Sequence, residues 1–325
     1  MDARFSFLPP PVETIQGRRE HFVHGVDGTR LFVETAPILE GPVDRVAAAP
    51  PTTTDARLYF CDGIACDGFI WKYAWGALGH LGPVTHFHYR GHGRSGAPRD
   101  ANRIGIDAHA DDLAFVRRSD SADGTLGPAV LLGHSMGTQV CLEHWHRHRE
   151  NVKAMVLLCG SYGKVTSTFR GTPILDWLLP KMLPFVEQHS AMVRALWSRL
   201  PADLALKAGL KAGEIDPARM NPEDLRPYLE HMVHVHLPMF LRMLRRAGEH
   251  SAETWLSEID VPVLVVAGEK DTFTPASLAT VMAETIPKAE LLVVEGGTHA
   301  APIEAHERIN ARIAEFLTRA LRKTS

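Results

Sequence analysis

The chain has 325 residues, 45% of them hydrophobic and 22% charged, with a formal net charge of -3. Such a chain can bury a large core, and its near-balanced charge excludes the basic footprint of a nucleic-acid binder and gives no reason to expect an anionic membrane as partner. No stretch is apolar enough to span a bilayer. The four cysteines, Cys61, Cys66, Cys141 and Cys159, form no disulfide-like spacing, which fits reduced thiols in a cytoplasmic protein. The stretch from Met1 to Pro11 lacks a long apolar run and a small-residue cleavage site, so no secretion signal is expected.

In chain order, His21 to Ala36 reads as a hairpin turning at Val26-Asp27-Gly28-Thr29, followed by an exposed Pro- and Ala-rich loop from Pro37 to Asp55. A strand over Arg57 to Phe60 leads through Cys61-Asp62-Gly63-Ile64 to a helix expected around Phe69 to Leu81. The strand Val84 to Tyr89 enters Arg90-Gly91-His92-Gly93-Arg94-Ser95, and a helix is expected near Ile106 to Arg118. The apolar run Pro128 to Leu132, a helix from Gln139 to Arg149 and the apolar run Val152 to Leu158 continue the alternation. Strands alternating with helices at this spacing predict a parallel sheet with right-handed crossovers.

From Ser161 to Trp255 no strand-like run occurs, only amphipathic helical pieces broken by prolines. The alternation resumes with Val261 to Val266, a helix near Ala276 to Thr285, the strand Leu291 to Val294 and a last helix. That helix sets Ile309, Ile313, Phe316 and Leu317 on one face. The division expected is an α/β core, residues 1–160 and 256–325, interrupted by a helical cap at 161–255 after the sixth strand.

Chemistry concentrates at three loops. Ser135 lies in Gly133-His134-Ser135-Met136-Gly137, between an apolar strand and a helix, the context in which G-x-S-x-G exposes a nucleophile on a strained turn. Asp271 and His299 follow the runs Val263 to Val266 and Leu291 to Val294, where open α/β sheets gather reacting groups. Singly, Asp271 reads equally as a helix N-cap and His299 as a surface histidine. Together, in the order Ser, Asp, His, they read as nucleophile, orienting carboxylate and base.

On these residues the chain resembles the α/β-hydrolase superfamily, in its capped serine esterase and lipase-like branch. The likeness covers about residues 20 to 160 and 256 to 323 and includes Arg90-Gly91-His92-Gly93-Arg94-Ser95 and Val261-Pro262 leading to Gly268 and Asp271. It implies an eight-stranded, mostly parallel sheet. The backbone N–H of Met136 at the helix start is the first expected oxyanion donor, and the resemblance makes that of Ile64 the second. Relatives usually carry His-Gly where this chain has Asp62-Gly63, which sets an anion beside the expected oxyanion hole. Serine at the elbow disfavours the dehalogenase and epoxide-hydrolase chemistries, whose members place aspartate there.

The reading is a hydrolase of carboxylic esters with an apolar acyl or aromatic part. The same triad would also serve carbon–carbon bond hydrolysis, thioester cleavage, acyl transfer or cofactor-free perhydrolysis, and a ligand receptor could keep the fold. Trp177, Leu178, Met182, Met239 and Phe240, from two apolar cap stretches, are candidates for an acyl pocket. Those stretches could equally bury against a second subunit. His144, His146 and His148, and His231, His234 and His236, lack the further convergent ligands of a metal site, and no phosphate-binding glycine pattern follows a strand, so neither metal nor organic cofactor is expected.

Overall fold

The computed structural model describes residues 15–39, 55–168, 171–197, 199, 218–221, 224–225, 228, 231–232 and 235–322. Most of the expected Pro37 to Asp55 loop, the stretch from Met1 to Pro11, and His234 lie outside these residues.

Among the described residues, eight strands form one sheet: β1 (Arg19–His24), β2 (Arg30–Ala36), β3 (Arg57–Cys61), β4 (Val84–Phe87), β5 (Ala129–His134), β6 (Val152–Leu158), β7 (Val263–Gly268) and β8 (Ala289–Val294). Their order is β1-β2-β4-β3-β5-β6-β7-β8. The β1–β2 hairpin and the β2–β4 pair are antiparallel; every pair from β4 to β8 is parallel. The expected α/β-hydrolase sheet is therefore present.

Side-chain alternation divides the interior between two faces, as the two-residue period of a strand requires. Leu131, Leu157, Val263 and Val265 pack on one face with helices α2 (Ile106–Ser119), α3 (Met136–His148) and α8 (Ala276–Thr285). Val130, Leu132, Val156, Leu264 and Val266 pack on the other with α1 (Ala74–Leu78) and α10 (His306–Ala320). Because both faces are covered, β5 and β7 are buried throughout, which explains their unbroken apolar runs. The edge strand β8 leaves Leu291 and Val293 exposed.

The continuous helix expected over Phe69 to Leu81 is not formed. A 3₁₀ turn at Phe69–Trp71 precedes the short α1 instead. Gly68 enters that turn at φ 94°, and Gly76 and Gly79 weaken the helix beyond it. The turn presents Trp71 to the sheet, where it stacks on Phe60.

Between β6 and β7 the described chain is helical: α4 (Val165–Thr168), α5 (Ile174–Gln188), α6 (Ser190–Trp197) and α7 (Leu237–Glu249). Leu179, Leu183 and Val186 of α5 meet Leu241 of α7 in a small core of their own. This segment is tied to the sheet domain by polar contacts, including Asp224 with Lys72 at 2.6 Å and with the Tyr73 hydroxyl at 2.9 Å. The short α9 (Ala301–Glu304) follows β8 and precedes α10.

Candidate active site

The turn from β5 into α3 puts Ser135 at φ 54° and ψ -119°, a conformation an L-residue adopts only when its surroundings enforce it. Those surroundings are identifiable. Ser135 N–H donates to Leu158 O at 2.9 Å, and Thr138 N–H donates back to Ser135 O at 3.0 Å. A Cβ on Gly137 would lie 2.1 Å from Cys61 O, so only glycine lets the first turn of α3 rest on the end of β3. The result presses the serine turn against the loop after β3. At Gly63 in that loop, an added Cβ would come within 3.2 Å of Ser135 Cβ.

Asp271 and His299 lie in the loops after β7 and β8, both beside Ser135 at the C-terminal end of the parallel strands. The structure brings the three side chains into one file. His299 Nδ1–H donates to Asp271 Oδ2 at 2.8 Å, and His299 Nε2 lies 3.0 Å from Ser135 Oγ, placed to accept its proton. The Asp271 carboxylate is buried, while the His299 side chain is 21% exposed and can be reached from outside.

Asp271 is held by more than the histidine. Its Oδ1 accepts N–H bonds from Phe273 and Thr274, each at 2.9 Å, and its Oδ2 accepts the Thr274 hydroxyl at 2.8 Å. Burial pushes its carboxyl toward the neutral form, but the facing His299 and the Thr274 bonds outweigh that and hold it below the ordinary carboxylate range. The carboxylate thus closes a local turn over Phe273 and Thr274 and orients the imidazole at once; it is not the helix N-cap read from sequence, because α8 starts only at Ala276 with Pro275 before it.

His134, just before the serine, is neutral: burial first, then the neighbouring His299, pushes its pKa down to about 3. Its Nε2–H donates to the backbone oxygen of His299 at 3.1 Å, and Thr298 is pinned by Glu304 through its N–H at 2.8 Å and hydroxyl at 2.7 Å. Sequence reasoning missed Thr274, His134 and Glu304. The three-residue step from Asp271 to Thr274 was a usable signal for the first.

Met136 opens α3, so its N–H points out of the first helical turn, and Ile64 follows Gly63 in the loop pressed against Ser135. The neighbouring Asp62 is fully buried, with one oxygen on Trp71 and the other on His86. Its charge is paired with His86.

Glu34, His86 and His88 lie near enough to one another to be weighed as metal ligands. Their hydrogen bonds argue otherwise. Both ring nitrogens of His86 face carboxylates, which suits an imidazolium without a lone pair, and His88 Nδ1 is occupied by the N–H of Arg94 at 2.9 Å. His144 and His148, at ligand spacing on α3, are likewise engaged: His144 with Ala110 O and Arg117, His148 with Asp111.

The five apolar pocket candidates separate. Met239 packs on the main core and against Gly91, and Phe240 joins the small core between α5 and α7. Leu178 and Met182 are half-buried. Trp177 is not brought to the site: it is 63% exposed, with Lys181 Nζ over its ring, because α5 spends its inward face on Leu179, Leu183 and Val186. Beside His299 lies Phe273, unforeseen from sequence, whose ring is 5.1 Å from the imidazole and partly exposed.

Known proteins share this architecture. A family model described as alpha/beta hydrolase fold matches residues 83–306. Protein ABHD8 of Mus musculus is 26% identical over 281 residues, which cover 84% of this chain and 57% of that protein, so the chain spans little more than half of that relative's length. A 2-hydroxy-6-oxononadienedioate/2-hydroxy-6-oxononatrienedioate hydrolase of Burkholderia vietnamiensis is 28% identical over 198 residues, 60% of this chain and 64% of that one. An esterase structure from Exiguobacterium antarcticum superposes with a TM-score of 0.70 at 20% identity, covering 92% of this chain and 100% of that one; at such identity the likeness speaks for the fold.

Proposed function

Because this chain belongs to the alpha/beta hydrolase fold family, we propose that it is a serine hydrolase that cleaves carboxylic esters with an apolar acyl or aromatic part. The observation that carries this reading is the unbroken file from Ser135 Oγ through His299 to Asp271, with bonds of 3.0 and 2.8 Å. In the proposed reaction Ser135 Oγ attacks the acyl carbonyl while His299 Nε2 takes its proton. Asp271 keeps Nδ1 protonated and stabilises the imidazolium. The backbone N–H groups of Met136 and Ile64 receive the oxyanion, each contributing on the order of 3 kcal/mol to the transition state. Collapse expels the alcohol, protonated by His299, and a water deprotonated by the same nitrogen hydrolyses the acyl-enzyme.

The helical segment 161–255 acts in this proposal as the cap over the substrate, with Met243 and Ala247 of α7 buried in the main core and Met239 packed against it. Four buried, unpaired cysteines support a reducing, cytoplasmic setting. Among the described residues no helix is long and apolar enough to cross a membrane. The matching dienedioate hydrolase favours one second reading, carbon–carbon bond hydrolysis by the same residues.

Fluorophosphonate labelling with mass mapping, followed by a p-nitrophenyl ester series and a dienoate diketone, tests both. Labelling at Ser135, a clear chain-length optimum among esters and a loss of about 10⁴-fold or more in Ser135→Ala are expected. Diketone turnover far above that of every ester would replace the first reading by the second.

A further inference from the structure

Beneath the loop after β3 lies a second polar assembly, which the proposed reaction does not use directly. Asp62 has no exposed surface. Its Oδ1 accepts Trp71 Nε1–H at 2.9 Å and its Oδ2 accepts His86 Nε2–H at 2.8 Å. His86 Nδ1–H donates to Glu34 Oε2 at 3.1 Å, and Glu34 Oε1 meets the Arg18 guanidinium at 2.5 Å. Guanidinium, carboxylate, imidazolium and carboxylate thus alternate in sign from the edge of β1 across β2 and β4 to the residue before Gly63.

Burying such a row gains little stability, since removing ions from water costs about what their pairing returns. What it supplies is direction. Gly63 has no side chain with which to anchor itself, yet it must stay close to Ser135. Asp62, one residue earlier, is clamped from two sides, and a carboxylate bonded at both oxygens fixes its own Cα and the peptide beyond it.

We propose that Glu34, His86, Asp62 and Trp71 form a positioning relay that aims the Ile64 N–H at the developing oxyanion. This rests on the serine-hydrolase reading and extends it to residues outside the triad. It also accounts for an aspartate at 62 beside an oxyanion hole: His86 carries the compensating proton, and both carboxylate oxygens are occupied by Trp71 and His86.

The protonation states agree. Burial alone would strip the proton from His86, but the Asp62 carboxylate, then Glu34, hold it and push the pKa up to about 10. Burial works against ionised Glu34 too, but His86 and Arg18 prevail and bring it down to about 2. Of the other groups nearby, His88 is kept neutral by burial and by His86, and Asp67 is raised by burial against the pull of His231. The relay is therefore complete where Glu34 is ionised and His86 protonated. The contribution of raised His86 is full below its ordinary 6.5 and is lost as the pH climbs toward 10; that of lowered Glu34 is full above its ordinary 4.5 and is lost as the pH falls toward 2.

The test compares the full chain with His86→Gln and Asp62→Asn in kcat and KM on a short p-nitrophenyl ester, corrected for buffer hydrolysis. Binding of a trifluoromethyl ketone, which forms an oxyanion on the serine, is read beside it. The relay requires kcat to fall about 10- to 100-fold with KM nearly unchanged, and ketone affinity to fall in parallel, less than outright loss of a donor would cost. It also requires an alkaline loss of kcat approaching pH 10 in the native chain that disappears in His86→Gln. A folded His86→Gln with native kcat, ketone affinity and alkaline profile overturns the relay. Should His86→Gln not fold, Trp71→Phe, which removes one clamp and keeps a smaller aromatic ring in its place, must lower kcat about threefold or more, and native kcat there overturns the relay equally. Absence of fluorophosphonate labelling at Ser135 in the native chain would instead bring down the hydrolase reading. Labelling there together with unaffected variants would bring down the relay alone.

Discussion

On the sheet, Val130, Leu131, Leu132, Val156, Leu157 and Val265 have no exposed surface; on α5 and α6, Ile174, Trp177, Phe185, Met192 and Leu196 are each more than half exposed. The two regions draw on the same apolar residue types, yet only one finds partners on every side. A central strand is covered above and below by helices, so each apolar side chain has a place. A helix laid over a small core buries one stripe and leaves the rest outside. The contrast also divides labour. The serine turn and the carboxylate and imidazole loops hang from the ends of close-packed strands, which can hold hydrogen bonds near 3 Å. The helical segment offers apolar surface without that precision, which suits contact with a substrate more than orientation of reacting atoms.

Three substitutions probe this contrast, in falling order of effect. Phe316→Ala opens a cavity beneath the sheet, where the ring is almost fully buried, and is expected to cost about 3–5 kcal/mol in urea unfolding. A loss below 1 kcal/mol would mean that this face of the core is loosely packed. Thr274→Val removes the hydroxyl bonded to Asp271 while keeping the side-chain volume; kcat/KM is expected to fall roughly tenfold, near 1.4 kcal/mol, with unfolding much less affected. An unchanged kcat/KM would show that the two backbone N–H bonds alone orient the carboxylate. Trp177→Ala, on the exposed face of α5, is expected to change unfolding by less than about 0.5 kcal/mol. A large loss there would show that Trp177 is covered in solution and that the contrast between the regions is overstated.

Much of this arrangement is legible in the sequence. The placement of Ser135, Asp271 and His299 past the ends of apolar runs comes from strand periodicity and glycine-rich turns, both local signals. The last helix is legible from the spacing of Ile309, Ile313, Phe316 and Leu317, all buried. The helix expected over Phe69 to Leu81 fails because its apolar residues answer to the sheet beneath them: Trp71 is drawn down onto Phe60 and Asp62, and the glycines allow the break. Trp177 reads as inward-facing from sequence because composition reports how apolar a helix is and leaves its orientation open.

The sequence by itself determined the alternation of strands and helices, the interruption after the sixth strand, and the kinds of group available at three loops, because each is written in neighbouring residues. Only the tertiary structure decided that Asp62 meets Trp71 and His86, that His86 lies between two carboxylates 24 and 52 residues away, and that His134 braces the backbone of His299. A buried polar side chain takes its partner from whatever the fold brings alongside, and sheet pairing joins segments that share no local pattern.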